Sequence, residues 1–184
     1  MALAIVPLAL AASTPSIDGY PGYNSVLTCK SDAQNAEYAW AYATNGSTFA
    51  AGKTWRVDAP RVGYDVICQV TADGATTNSA PVRIGQGRTT IKLKAKKVQH
   101  KKVTITGRVG PKAAIKGAGI VAYRIESDGD HQLFGKETLK ANGQIKIVAP
   151  DIPGKHTYKV NFNPKDPSLW QLKSAKVKLR LKKR

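Results

Sequence analysis

Nowhere in this 184-residue chain do apolar residues recur at i, i+3, i+4 and i+7 with good helix formers between them. They alternate instead with polar residues in short runs, divided by Gly, Pro, Asp-Gly and Asn-Gly signals. Alternation of period two puts every second side chain on one face, so each run reads as a β-strand with one face buried. Sixteen glycines and ten prolines supply the turns that many short strands need. An apolar share of 42% is that of a folded chain and not of a disordered one. The expectation is an all-β protein.

The first half holds alternating runs at 25–29, 36–42, 54–57, 64–71 and 80–84. The two cysteines fall in two of these runs, with Trp40 between them in sequence. That order places Cys29 and Cys68 on strands facing each other across a sandwich, with the indole packed over them. They are read as a possible disulfide or a core pair, since two free thiols also pack as small hydrophobes and the compartment decides between the two.

Ser25-Val-Leu-Thr-Cys29, Tyr38-Ala-Trp40, Ala51-Gly-Lys-Thr-Trp-Arg-Val57 and Cys68-Gln-Val-Thr-Ala72 together resemble the bacterial and phage immunoglobulin-like repeat. Two positions depart from that pattern: Arg61 stands where the family usually has an acid, and Trp55 replaces a tyrosine. In the second half, Pro153-Gly-Lys-His-Thr-Tyr-Lys-Val-Asn-Phe-Asn-Pro-Lys-Asp166, followed by Ser174 and a last alternating run, resembles another bacterial repeat of the same kind. The resemblances imply two tandem immunoglobulin-like β-sandwich domains behind an extended apolar N-terminal arm. The expected boundaries are an arm at 1–12, a first domain at 13–84, a linker at 85–89 and a second domain at 90–184. The second domain carries strand candidates at 91–95, 103–106, 120–125, 132–134, 144–148, 156–162 and 175–181.

Charge separates the halves further. The formal net charge is +17, yet residues 1–86 hold five basic against six acidic side chains, while residues 87–184 hold 24 against six. Lys92, Lys94 and Lys96 share one face of the first strand of domain two. Lys176, Lys178, Arg180 and Lys182 share one face of the last, opposite Val177, Leu179 and Leu181. If these two strands pair in one sheet, seven cations line one exposed stripe, joined by Lys97, Lys101 and Lys102. Such a stripe protects an edge from aggregation, but a one-sign field of this density also attracts an anionic partner. No aromatic interleaves the stripe, which argues against a base-stacking nucleic-acid reader.

No catalytic, cofactor or metal site is expected. Glu126-Ser-Asp128-Gly-Asp130-His131 gathers three carboxylates and an imidazole, but its Asp-Gly is a hairpin signal and a calcium loop needs more oxygen ligands. His100, His131 and His156 pair with no nucleophile pattern. The apolar N-terminus has no basic residue ahead of its apolar run, and so reads as a retained arm ahead of a cleaved signal. At roughly 12 apolar residues it is also shorter than a membrane span. Its Leu3, Ile5, Val6 and Leu8 are candidate partner-binding residues.

The resulting expectation is a non-enzymatic structural protein of a tailed-phage virion. It would decorate the capsid by binding the major capsid protein or another shell protein, with the tail a less favoured location. Host cell-surface polyanions are a further partner of the stripe. The alternative is a secreted bacterial surface or adhesion module with residues 1–12 removed and the stripe held by envelope polyanions.

Overall fold

The computed structural model describes residues 13–98, 102–150 and 152–181. The arm residues Leu3, Ile5, Val6 and Leu8, together with Lys182 and the side chain of Lys96, lie outside the described residues. Among the described residues every extended element is a β-strand, and the helical pieces are two 3-10 turns, at Ala59–Arg61 and Lys112–Ala114. No described helix is long and apolar enough to cross a membrane. The chain divides into two compact units between Gly85 and Gln86.

The first unit contains β1 (Ser16–Asp18), β2 (Val26–Lys30), β3 (Glu37–Tyr42), β4 (Thr48–Ala51), β5 (Thr54–Arg56), β6 (Asp65–Ala72), β7 (Ala75–Asn78) and β8 (Val82–Arg83). One sheet runs β1-β2-β5, and the other β4-β3-β6-β7 with β8 also on β6. The sequence reading missed β1, β4 and β7. In β7 all four residues are exposed, so no apolar alternation could mark it; what builds it is the two-residue Asp73-Gly74 turn. Both of those residues have positive φ, the geometry of a tight hairpin.

Alternate residues of the two sheets meet in a core of Leu27, Cys29, Trp40, Trp55, Val57, Val66, Cys68, Val70 and Ile84. Cys29 on β2 and Cys68 on β6 form a disulfide that joins the sheets, with Cα atoms 5.9 Å apart. Trp40 stands directly opposite Cys68 in the β3–β6 ladder and is fully buried. Its indole N–H donates to the Gly52 carbonyl at 3.0 Å, so the one polar atom of the ring is satisfied inside the core.

The second unit contains β9 (Thr90–Val98), β10 (Lys102–Gly110), β11 (Gly119–Ile125), β12 (His131–Thr138), β13 (Gln144–Pro150), β14 (Gly154–Asn163) and β15 (Lys173–Leu181). These form a three-stranded sheet, β13-β10-β9, and a four-stranded sheet, β12-β11-β14-β15. Val103, Ile105, Ile145 and Ile147 from one sheet, and Ile120, Tyr158, Val160 and Phe162 from the other, are buried. Gly107 lets β9 and β10 approach closely, because a Cβ there would lie 2.3 Å from the Lys92 carbonyl oxygen.

Residues 85–89 are tied down on both sides. Gly85 donates to Pro21 and accepts from Tyr23 within the first unit. Gly87 bonds Leu169 and Gln171, and the Thr89 hydroxyl donates to the Gln171 carbonyl, within the second. These bonds hold Trp170 in a buried position. The Asp166 carboxylate accepts from the Ser168 backbone and hydroxyl and from the Leu169 backbone, closing the loop before it. The Ser168 hydroxyl in turn holds the Asp166 carboxyl below the usual carboxylate range.

Two stability outcomes follow. Trp40→Ala empties an aromatic core position and should cost about 3–5 kcal/mol in urea unfolding; a loss under about 1 kcal/mol would mean the indole does not bear on the core. Replacing both cysteines with alanine opens a cross-link spanning 39 positions. That should cost about 3–4 kcal/mol by the loop-entropy relation, read as a fall in the urea midpoint.

Candidate functional site

The cationic residues of the second unit are placed by alternation along β14 and β15. On β14, Tyr158, Val160 and Phe162 are buried, so Lys155, Thr157, Lys159 and Asn161 point outward. On β15, Ala175, Val177 and Leu179 are half-buried, while Lys176, Lys178 and Arg180 are exposed. The antiparallel register sets Lys155 opposite Arg180, Thr157 opposite Lys178, and Lys159 opposite Lys176. No carboxylate occupies an outward position of either strand.

This differs from the stripe expected from sequence. β9 and β15 do not pair; they belong to different sheets. The reason is local. Residues 90–98 and 102–110 are separated by a three-residue connection and pair as a hairpin, which commits β9 to the sheet of β10. Lys92 and Lys94 therefore share an outward face with Arg108 and Lys146, through the registers Arg108–Lys92, Thr106–Lys94 and Thr106–Lys146. β9 and β15 still run beside each other as edge strands, with Cα atoms within 8 Å. The described members of the expected stripe, Lys92 and Lys94 on one side and Lys176, Lys178 and Arg180 on the other, are thus split over two sheets.

Sequence reading missed Lys155 and Lys159 as members of the site. The signal was present for Lys159, at an outward position of the alternating run 156–162, while Lys155 stands just ahead of that run. Only the register, however, puts them across from Arg180 and Lys176. Tyr123, at an outward position of β11, lies across from Lys159, with its ring 5.8 Å from that of His131. An aromatic therefore does share the sheet face, although it stands one strand away from the β14–β15 cations.

Between β14 and β15 lies a groove of about 420 Å³ lined by Lys155, His156, Thr157, Lys178, Leu179 and Arg180. His156 Nε2 is 3.1 Å from the Pro153 carbonyl. The cations here face one another without an intervening acid, an arrangement that by itself is repulsive.

The acidic turn after β11 has a structural account. The Glu126 N–H donates to the Asp130 carbonyl, the Asp130 N–H donates to the Asp128 carboxylate, and Arg124 pairs with Glu126 at 2.6 Å. No group of three or more metal-ligating side chains occurs among the described residues.

In the first unit, Arg61 and Trp55, the two departures from the repeat pattern, are linked through one ring. The Arg61 guanidinium lies 4.7 Å from the Phe49 centroid, and Phe49 lies 5.0 Å from Trp55. Arg61 also bonds the Asp58 carboxylate at 2.9 Å, so an acid three residues earlier accompanies the base found at position 61. From there the rings continue through Tyr42 to Tyr64, which is 52% exposed.

No family model and no curated protein matches the chain. Among solved structures, the chicken interferon gamma receptor alpha chain superposes with a TM-score of 0.57 at 8% identity, covering 93% of this chain and 98% of that one. The fibronectin(III)-like modules of Clostridium thermocellum CbhA align at 16% identity with a TM-score of 0.34, over 91% of this chain and 95% of theirs. The likeness to the receptor chain shows the fold alone: an all-β protein built of antiparallel sheets. Nothing in these likenesses points to a phage particle.

The opposed lysines carry a direct test. Lys176→Glu converts the pair with Lys159 from like to opposite charge and should stabilise the protein by about 0.5–1 kcal/mol. A raised urea midpoint that sinks back toward the parent value in high salt is the expected result.

Proposed function

We propose that this protein is a non-catalytic binding and display module made of two tandem immunoglobulin-like domains, and that its cationic second domain holds a polyanionic surface. The observation that carries this reading is the outward face of β14 and β15, where five cations stand with no carboxylate among them. A solvated face serving solubility alone would be served better by mixed charge, which lowers self-repulsion.

We place this module on the surface of a tailed-phage virion, bound to the major capsid protein or another shell protein and facing host cell-surface polyanions. The resemblance of the first domain to the bacterial and phage repeat supports that location. A second reading, a secreted bacterial surface or adhesion module, is favoured by one observation: the Cys29–Cys68 disulfide, a bond that persists in oxidising compartments.

Purified protein mixed with undecorated phage capsids and, separately, with bacterial envelopes tests both readings. Binding to envelopes should fall about tenfold or more as salt rises from roughly 50 to 200 mM, because exposed charges are screened over that range. A decorating protein binds capsids in a saturable copy number as well. Envelope binding without capsid binding replaces the virion reading by the secreted one, and no binding to either at low salt overturns the module's proposed role.

A further inference from the structure

The β14–β15 face is a ladder, and its spacing restricts what can lie on it. Its three rungs are Lys155–Arg180, Thr157–Lys178 and Lys159–Lys176. Outward positions along a strand repeat about every 7 Å, and neighbouring strands are about 4.8 Å apart. The rungs therefore present at least one cation each over about 14 Å in a single line. One small anion would engage one rung and leave the cations of the other two unneutralised. A linear polymer with anionic groups at a similar repeat would neutralise all three and relieve the repulsion at Lys155–Arg180 and Lys159–Lys176.

The donor chemistry narrows the polymer. Four of the five cations are lysines, compact point charges that suit the tetrahedral oxygens of a phosphate. The planar fork of arginine suits carboxylate and phosphate alike, and the ladder has one, Arg180. Thr157 adds a hydroxyl donor at the middle rung, within the groove. No Phe, Tyr or Trp lines that groove, and Tyr123 stands on the next strand, half-buried. Bases would have little to stack on where the phosphates sit.

We infer that the groove between β14 and β15 is the recognition site for a base-free phosphodiester polymer, a chain of polyol or sugar units joined by phosphates, with Lys155, Lys178 and Arg180 as its central contacts. This rests on the polyanion-binding role proposed above and assigns it to one face of the second unit. The other cationic face, with Lys92, Lys94, Arg108 and Lys146, then adds only diffuse attraction.

The test uses the full chain and four probes of matched length: poly(glycerol phosphate), heparin, oligo-deoxythymidine and poly-glutamate. Two triple variants remove equal charge. One carries Lys155→Ala, Lys178→Ala and Arg180→Ala; the other carries Lys92→Ala, Lys94→Ala and Lys146→Ala on the opposite sheet. The parent should bind poly(glycerol phosphate) most tightly at about 150 mM salt. The groove triple should lose about a hundredfold in affinity for it, and the control triple no more than about threefold, with both keeping the parent's unfolding midpoint or exceeding it. Equal losses in the two triples overturn the site while leaving general polyanion binding in place. Tighter binding of oligo-deoxythymidine overturns the base-free ligand in favour of stacking on Tyr123, and tighter binding of heparin or poly-glutamate overturns the phosphate assignment. If the parent binds none of the four, the polyanion-binding role falls with it.

Discussion

Each strand in this protein has two faces, and burial of one of them between paired sheets is the constraint on which the rest depends. In β14 the inward set is Tyr158, Val160 and Phe162, all essentially inaccessible to solvent. Once those three are fixed inside, Lys155, Thr157 and Lys159 have no choice of direction, because a slip of one residue would bury the lysines and expose the core. The cationic face is therefore the reverse side of the hydrophobic core. The two cannot be altered independently, and the proposed binding surface inherits the rigidity of the packing behind it.

The same rule operates in the first unit, where the inward positions include Cys29, Trp40 and Cys68. Here a covalent bond and a fully buried indole reinforce sheet-to-sheet burial in a small core, where apolar area is limited. This unit is nearly balanced in charge, and a line of rings runs from the buried Trp40 through Trp55, Phe49 and Tyr42 out to the exposed Tyr64. The chain thus joins a near-neutral unit stapled by a disulfide to a second unit that has no cysteine and a large excess of positive charge. Repulsion between opposed lysines lowers the stability of the second sheet, and an anion laid along the rungs would restore it. The proposed binding role would thus link stability and binding through the same side chains.

Much of this was legible beforehand. Period-two alternation located all seven strands of the second unit, and the order Cys29, Trp40, Cys68 located the centre of the first. What failed was any strand without an apolar face, as in β7, and any strand too short to show a period, as in β1. The pairing of β9 with β15 failed for a different reason. Alternation reports which face of a strand is wet but carries no information about its neighbour, and the short connection between β9 and β10 decided that by making a hairpin.

The sequence by itself determined the strands, their inward and outward sets and the segregation of charge, because those depend on residue type at fixed spacing along one chain. Only the tertiary structure decided that Lys155 and Lys159 stand opposite Arg180 and Lys176, and that Lys92 and Lys94 look out from the other sheet. Register and sheet membership are set by contacts between segments far apart in sequence, where the cost of closing the chain is weighed against the apolar surface that each pairing buries.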